Sequence, residues 1–215
     1  MKDFFYQNIK PLESTVERFP WEKKKAYAEF LAQSYYYVAH STRLLAASAS
    51  RFPIEQVQLF NRFTVHISEE RSHEVLAVRD LKKLGYELSA FDEMPLATVF
   101  YESQYFKIEH QDPTALLGYI IGLEGISVRK MKQVYERLVN AYGKEAATFI
   151  HLHAQEDDDH LEKAFKQIST LNPTQVDLIK KNMIQTISLY GMLLNEIVTC
   201  TEFSVTNLPV ARLQP

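Results

Sequence analysis

Proline and glycine constrain this chain most, because both are scarce and most prolines fall where a helix would begin. Glycine and proline number 6 and 8 among 215 residues. In SRFPIEQ, FDEMPLA, HQDPTALL and TLNPTQVD, the residues Pro53, Pro95, Pro113 and Pro173 open new segments, with Asp112 and Asn172 placed as caps. Proline suits the first helical turn, where its missing N–H has no partner to lose. Gly143 in AYGKEAA is a stop signal. No Asn-Gly or Asp-Gly hairpin occurs, and strand-like alternation is short. The pattern predicts an all-α chain of about seven helices, near 3–18, 21–50, 54–84, 93–110, 113–141, 144–169 and 173–204. Several are long and the connections are short, which suits a bundle of antiparallel neighbours. No linker or repeat interrupts the pattern, so one domain over 1–215 is expected.

Charge and composition exclude several function classes. A formal charge of −3, with no block of like charge, gives no support for nucleic-acid binding. No apolar run is long enough to span a bilayer, and the first residues lack the form of a secretory signal. Cys200 is the single cysteine, which excludes an intrachain disulfide and a multi-cysteine zinc site. A reducing cytoplasm is the expected compartment.

Two segments carry the same polar pattern. His153, Asp157 and His160 stand at offsets 0, 4 and 7, and so do His66, Glu70 and His73. Successive helical residues turn by about 100°, so each trio forms one narrow stripe. Apolar residues border both stripes: Val75, Leu76, Val78 and Leu81 after the first, Phe149, Ile150, Leu161 and Phe165 around the second. Imidazoles and carboxylates near a core need partners, because their desolvation is costly. A divalent cation between facing helices would serve all of them, and this donor set suits zinc, iron or manganese. Glu124 is the only acid between Thr114 and Met131, and it offers a further carboxylate. Gly118, Gly122 and Gly125 beside it leave room for a close helix or a substrate.

Plainer readings apply to the neighbours. A lone histidine on an apolar helix is more often a hydrogen-bonded core residue, so His40, His110 and His151 are read as structural or surface residues. Glu156, Asp158, Asp159, Glu69 and Glu74 are read as a solvated face. Tyr101, Gln104 and Tyr105 either line a pocket or pack between helices, and packing is expected for at least two of them.

The segments HSTRLLAASASR, HISEERSHEVLAVRDLKKLGY, LLGYIIGLEGIS and HAQEDDDHLEKA resemble the haem-oxygenase-like diiron oxidases and oxygenases. That broad group of iron-containing redox enzymes is related to thiaminase II and to pyrroloquinoline quinone biosynthesis protein C. The resemblance runs from about Tyr35 to Tyr190. It implies a haem-oxygenase-like bundle and two non-haem iron ions. Glu70, His73 and His153 would hold one iron, and Glu124, Asp157 and His160 the other. His66 is left open as a ligand, an outer partner or neither. The implied activity is O2-dependent oxidation of a small molecule, an amino acid, an amine or a fatty-acid-like compound; a homodimer is compatible with the fold. Two alternatives stand beside it: a metal-binding protein without turnover, and a metal-free enzyme like thiaminase or the quinone-biosynthesis protein. Thiaminase II uses a cysteine nucleophile, and Cys200 lies far along the chain from the stripes. Haem oxygenases need an early proximal histidine, for which His40 is the one candidate.

Overall fold

The structure is a computed structural model that describes residues 1–202, without the side chains of residues 156–160. Among the described residues it is all-helical: α1 (Lys2–Asn8), α2 (Lys10–Arg18), α3 (Lys24–Val38), α4 (Ser41–Ala49), α5 (Val57–Glu69), α6 (His73–Lys83), α7 (Pro95–His110), α8 (Leu116–Ile126), α9 (Lys132–Tyr142), α10 (Thr148–Ile168) and α11 (Pro173–Glu202). Among the described residues, each segment expected to be helical carries helix. No described helix is long and apolar enough to cross a membrane.

The long segments are jointed where unbroken helices are expected. The first divides at Ile9, just before Pro11 near the start of α2. Proline in mid-helix removes a hydrogen bond and clashes with the preceding turn, so the chain restarts there. The second divides at Ala39 and His40. The third divides between Glu69 and His73, where Ser72 takes a left-handed conformation (φ 72°, ψ 15°). That conformation is costly for a residue with a Cβ and persists only where its surroundings enforce it. The fifth passes through a π turn at Ser127–Met131 between α8 and α9, a local widening that often accompanies functional sites.

The joint at Ser72 also rotates α6. Its buried face is His73, Ala77, Asp80 and Leu81, whereas Val75 is 56% exposed. Of the expected ridge, Leu81 is in the core and Leu76 packs against it, whereas Val75 turns outward; helical phase restarts at His73.

α8 lies against α11 more closely than ordinary side chains permit. A Cβ at Gly118 would overlap the Ile179 carbonyl oxygen, and one at Gly122 would lie 2.8 Å from the Thr186 methyl carbon. Gly125 is covered in the same way by the Phe5 ring. The three glycines thus serve close packing and not a substrate space. Gly118→Ala should cost about 2–3 kcal/mol in chemical denaturation, because the new methyl group meets backbone and not a flexible side chain; a loss well below about 1 kcal/mol would contradict this packing.

Candidate metal centre

Four helices and the joint between two of them converge at the site. α5 brings His66 in its last turn, the α5–α6 joint brings Glu70, α6 opens with His73, α8 brings Glu124 and α10 brings His153. α10 packs against both α6 and α8. Its register on α6 is set by Asp80, a buried acid. The Asp80 carboxylate accepts the Thr148 hydroxyl at 2.6 Å and the Phe149 backbone N–H at 2.8 Å, satisfying donors at the start of α10. Burial raises the Asp80 pKa, and these two hydrogen bonds pull it back. Asp80→Ala would leave two donors unmet between the two helices that carry His73 and His153. The expected loss is about 2 kcal/mol by denaturation, and less for Asp80→Asn, which keeps an acceptor.

His66 Nε2 lies 3.0 Å from Glu124 Oε1 and 3.4 Å from Glu70 Oε1, and His73 Nδ1 lies 3.4 Å from Glu70 Oε2. The His73 and His153 rings meet edge to face, with centroids 5.3 Å apart. His153 Nδ1 is 2.8 Å from the Phe149 carbonyl oxygen. A carbonyl only accepts, so Nδ1 carries the proton and Nε2 is left as the nitrogen able to bind a metal.

Two triads result. Glu70, His73 and His153 each offer a ligand atom, all within 4.8 Å of one another, and so do His66, Glu70 and Glu124. Glu70 belongs to both. Burial alone would lower the His66 pKa, but hydrogen bonds and charge from Glu124 and then Glu70 raise it to about 9. Burial would raise the Glu70 pKa, yet its contacts with His66 and His73 hold it well below the usual carboxylate range.

The structure thus brings Glu70, His73 and His153 together as one group. Glu124 joins the site through His66 and Glu70; the side chains of Asp157 and His160, its expected companions, lie outside the described residues, as do those of Glu156, Asp158 and Asp159. His66, left open by the sequence, stands in the second triad, and its place in the His-x3-Glu-x2-His stripe matches that of His153 in the other. Glu69 is not a solvated acid: it is half-buried, 2.8 Å from Arg62 and 3.6 Å from Lys163. His40 stacks on Tyr101 at 3.7 Å and lies 3.0 Å from the Tyr105 hydroxyl. Gln104 accepts the Asn182 amide at 2.7 Å, so all three α7 residues make packing contacts. His151 stacks on Tyr135.

A pocket with an interior of about 90 Å³ opens onto the triads. His66, Glu70, Glu124 and His153 form its polar part, and residues such as Phe30, Leu44, Leu116 and Ile120 form an apolar remainder. Nitrogen and carboxylate donors grouped around one shared acid fit a borderline divalent ion such as iron, zinc or manganese.

This architecture is shared with proteins of the haem-oxygenase-like fold. A domain of unknown function with that fold from Shewanella denitrificans OS217 superposes with a TM-score of 0.82 at 16% identity, covering 95% of this chain and 94% of that one. A TenA homologue from Pseudomonas syringae pv. tomato DC3000 gives 0.77 at 13% identity, covering 91% of each chain. Another TenA homologue, from Pyrococcus furiosus, gives 0.72 at 16% identity, covering 90% of this chain and 99% of that one. A comparison with curated proteins returns no match. Residues 28–182 match the family of iron-containing redox enzymes, and the chain belongs to that family.

Proposed function

We propose that this protein is a non-haem iron enzyme that uses O2 to oxidise a small, mainly apolar molecule in the pocket beside the two triads. The observation that carries the reading is Glu70 shared between Glu70–His73–His153 and His66–Glu70–Glu124, at the polar end of an apolar pocket. One iron would be held by the first triad. A second would take the other triad, with Asp157 and His160 as the further donors that the α10 stripe suggests. Bound iron supplies the electron transfers that O2 chemistry needs.

The protein's own residues do the rest. The Phe149 carbonyl fixes the His153 tautomer. Asp80 holds α10 against α6, so His153 and His73 keep their spacing. His66 holds a proton between Glu124 and Glu70 until a cation replaces it. The apolar walls exclude water and favour an uncharged guest.

A second reading is supported by the same contacts. A protonated His66 between two carboxylates makes a self-satisfied polar core, as a metal-free enzyme would need. Anaerobic Fe(II) titration of metal-stripped protein, followed by O2 with optical detection, separates the two. Two equivalents bound and a transient visible band are expected. No iron uptake would overturn the iron reading and leave the metal-free one.

A further inference from the structure

Three tyrosines line the pocket, Tyr37, Tyr119 and Tyr190, and their hydroxyls are treated differently. Tyr37 Oη lies 3.3 Å from Ser34 Oγ. Tyr119 is 4% exposed, its ring packs against Phe100, and its hydroxyl has no hydrogen-bond partner among the described residues. Burying a hydroxyl without a partner is unfavourable, because the hydrogen bond given up to water is not replaced. Packing does not require the group either, since phenylalanine offers the same ring. An orphaned hydroxyl on a residue that lines the pocket is accounted for if a guest completes it.

The pocket's charge narrows the guest. Glu70 and Glu124 line it, and no lysine or arginine does so among the described residues. A free anion would meet two carboxylates whose one cationic neighbour, His66, is already paired with both, and most of the wall offers a charged group nothing.

We propose that Tyr119 is a specificity-determining residue whose hydroxyl donates a hydrogen bond to an acceptor, such as a carbonyl oxygen, on an uncharged and otherwise apolar substrate. This deepens the reading of the site as one that oxidises a small molecule, and rests on it for the word substrate. Tyr119 positions the guest and takes no part in bond-making.

The test uses two probes with the same ring skeleton, 1-indanone, which carries a carbonyl, and indane, which does not. Each is titrated by ligand-detected NMR into the metal-stripped full chain, as wild type, Tyr119→Phe and Tyr37→Phe. Tyr119→Phe is expected to lower the ratio of indanone to indane affinity by roughly three- to tenfold, the value of one neutral hydrogen bond. Tyr37→Phe, whose hydroxyl is already engaged, should leave the ratio unchanged. Tyr119→Phe should melt no lower than wild type, which separates a role in recognition from a structural one. An unchanged ratio in Tyr119→Phe, or no saturable binding of 1-indanone to wild type, overturns the proposal. Iron uptake is measured separately: should it fail while the ratio shifts as expected, the redox reading falls and Tyr119 remains the residue that reads the ligand of a metal-free enzyme.

Discussion

Glu70→Ala should deplete both metal positions at once. Glu70 is the member common to the two triads, so its loss removes a donor from each. His73→Ala or Glu124→Ala takes a donor from one triad only. Removing an outer partner of a metal ligand already costs roughly 10- to 100-fold in affinity, and loss of a shared ligand should cost at least that at both positions. The expected iron content, measured by elemental analysis after anaerobic loading, is near zero for Glu70→Ala and intermediate for the other two. His151→Ala is the control, because its ring stacks on Tyr135 and belongs to neither triad. Equal iron content in Glu70→Ala and His151→Ala would remove Glu70 from the centre.

Metal affinity and the stability of the metal-free protein should respond to pH in opposite directions. His66 is protonated in the metal-free fold up to about pH 9, against an ordinary value of 6.5. A raised folded pKa means that the protonated pair stabilises the fold fully below 6.5 and that this contribution is lost as pH rises through about 9. The difference between those values corresponds to roughly 3 kcal/mol at most. Glu70 works with the opposite sign: its pKa is depressed, so its contribution is present above 4.5 and lost as pH falls through the lower folded value. The metal-free protein should therefore be most stable between those limits and weaken towards alkaline pH. A metal at the His66–Glu70–Glu124 triad has to displace the His66 proton. Its apparent affinity should climb about tenfold per pH unit well below the folded pKa, or roughly 50-fold from pH 7 to 9, with about one proton released per ion at pH 7. Redox-inert Zn(II) and a weakly buffered titration give both numbers. Affinity independent of pH over that interval would mean that His66 is not a ligand.

The helical class was legible because proline marks it. Pro95 and Pro173 are the first residues of α7 and α11, and Pro53 and Pro113 stand at the 3-10 turns that lead into α5 and α8. The joints at His40 and Ser72 were not legible, since neither carries glycine or proline and tertiary contacts override local preference there. Spacing and apolar context marked the two polar stripes, and the grouping of Glu70, His73 and His153 was what the family resemblance implied. The His66–Glu124 contact follows from neither, because stripe geometry presumes a straight helix, and a bent one turns His66 towards α8. Asp80 in VRDLKK carries no mark of its role, which depends on the start of a helix 68 residues later. Tyr119 sits in an apolar run where only the solved surroundings reveal an unanswered hydroxyl.

The glycine contacts between α8 and α11 divide the pocket into a stiff wall and a soft one. With backbone against side chain and no intervening layer, α8 cannot slide or roll on α11 without collision. The opposite wall is α4, with α5 packed mainly on it. Widening to admit a guest is therefore expected at α4 and the α5 packed on it before it is expected between α8 and α11. Of the polar residues at the pocket's end, Glu124 stays with the stiff wall while His66 travels with the soft one. Entry of a guest and separation of the His66–Glu124 pair are then one motion, so a cation that ties those two residues together would also act as the latch on the door.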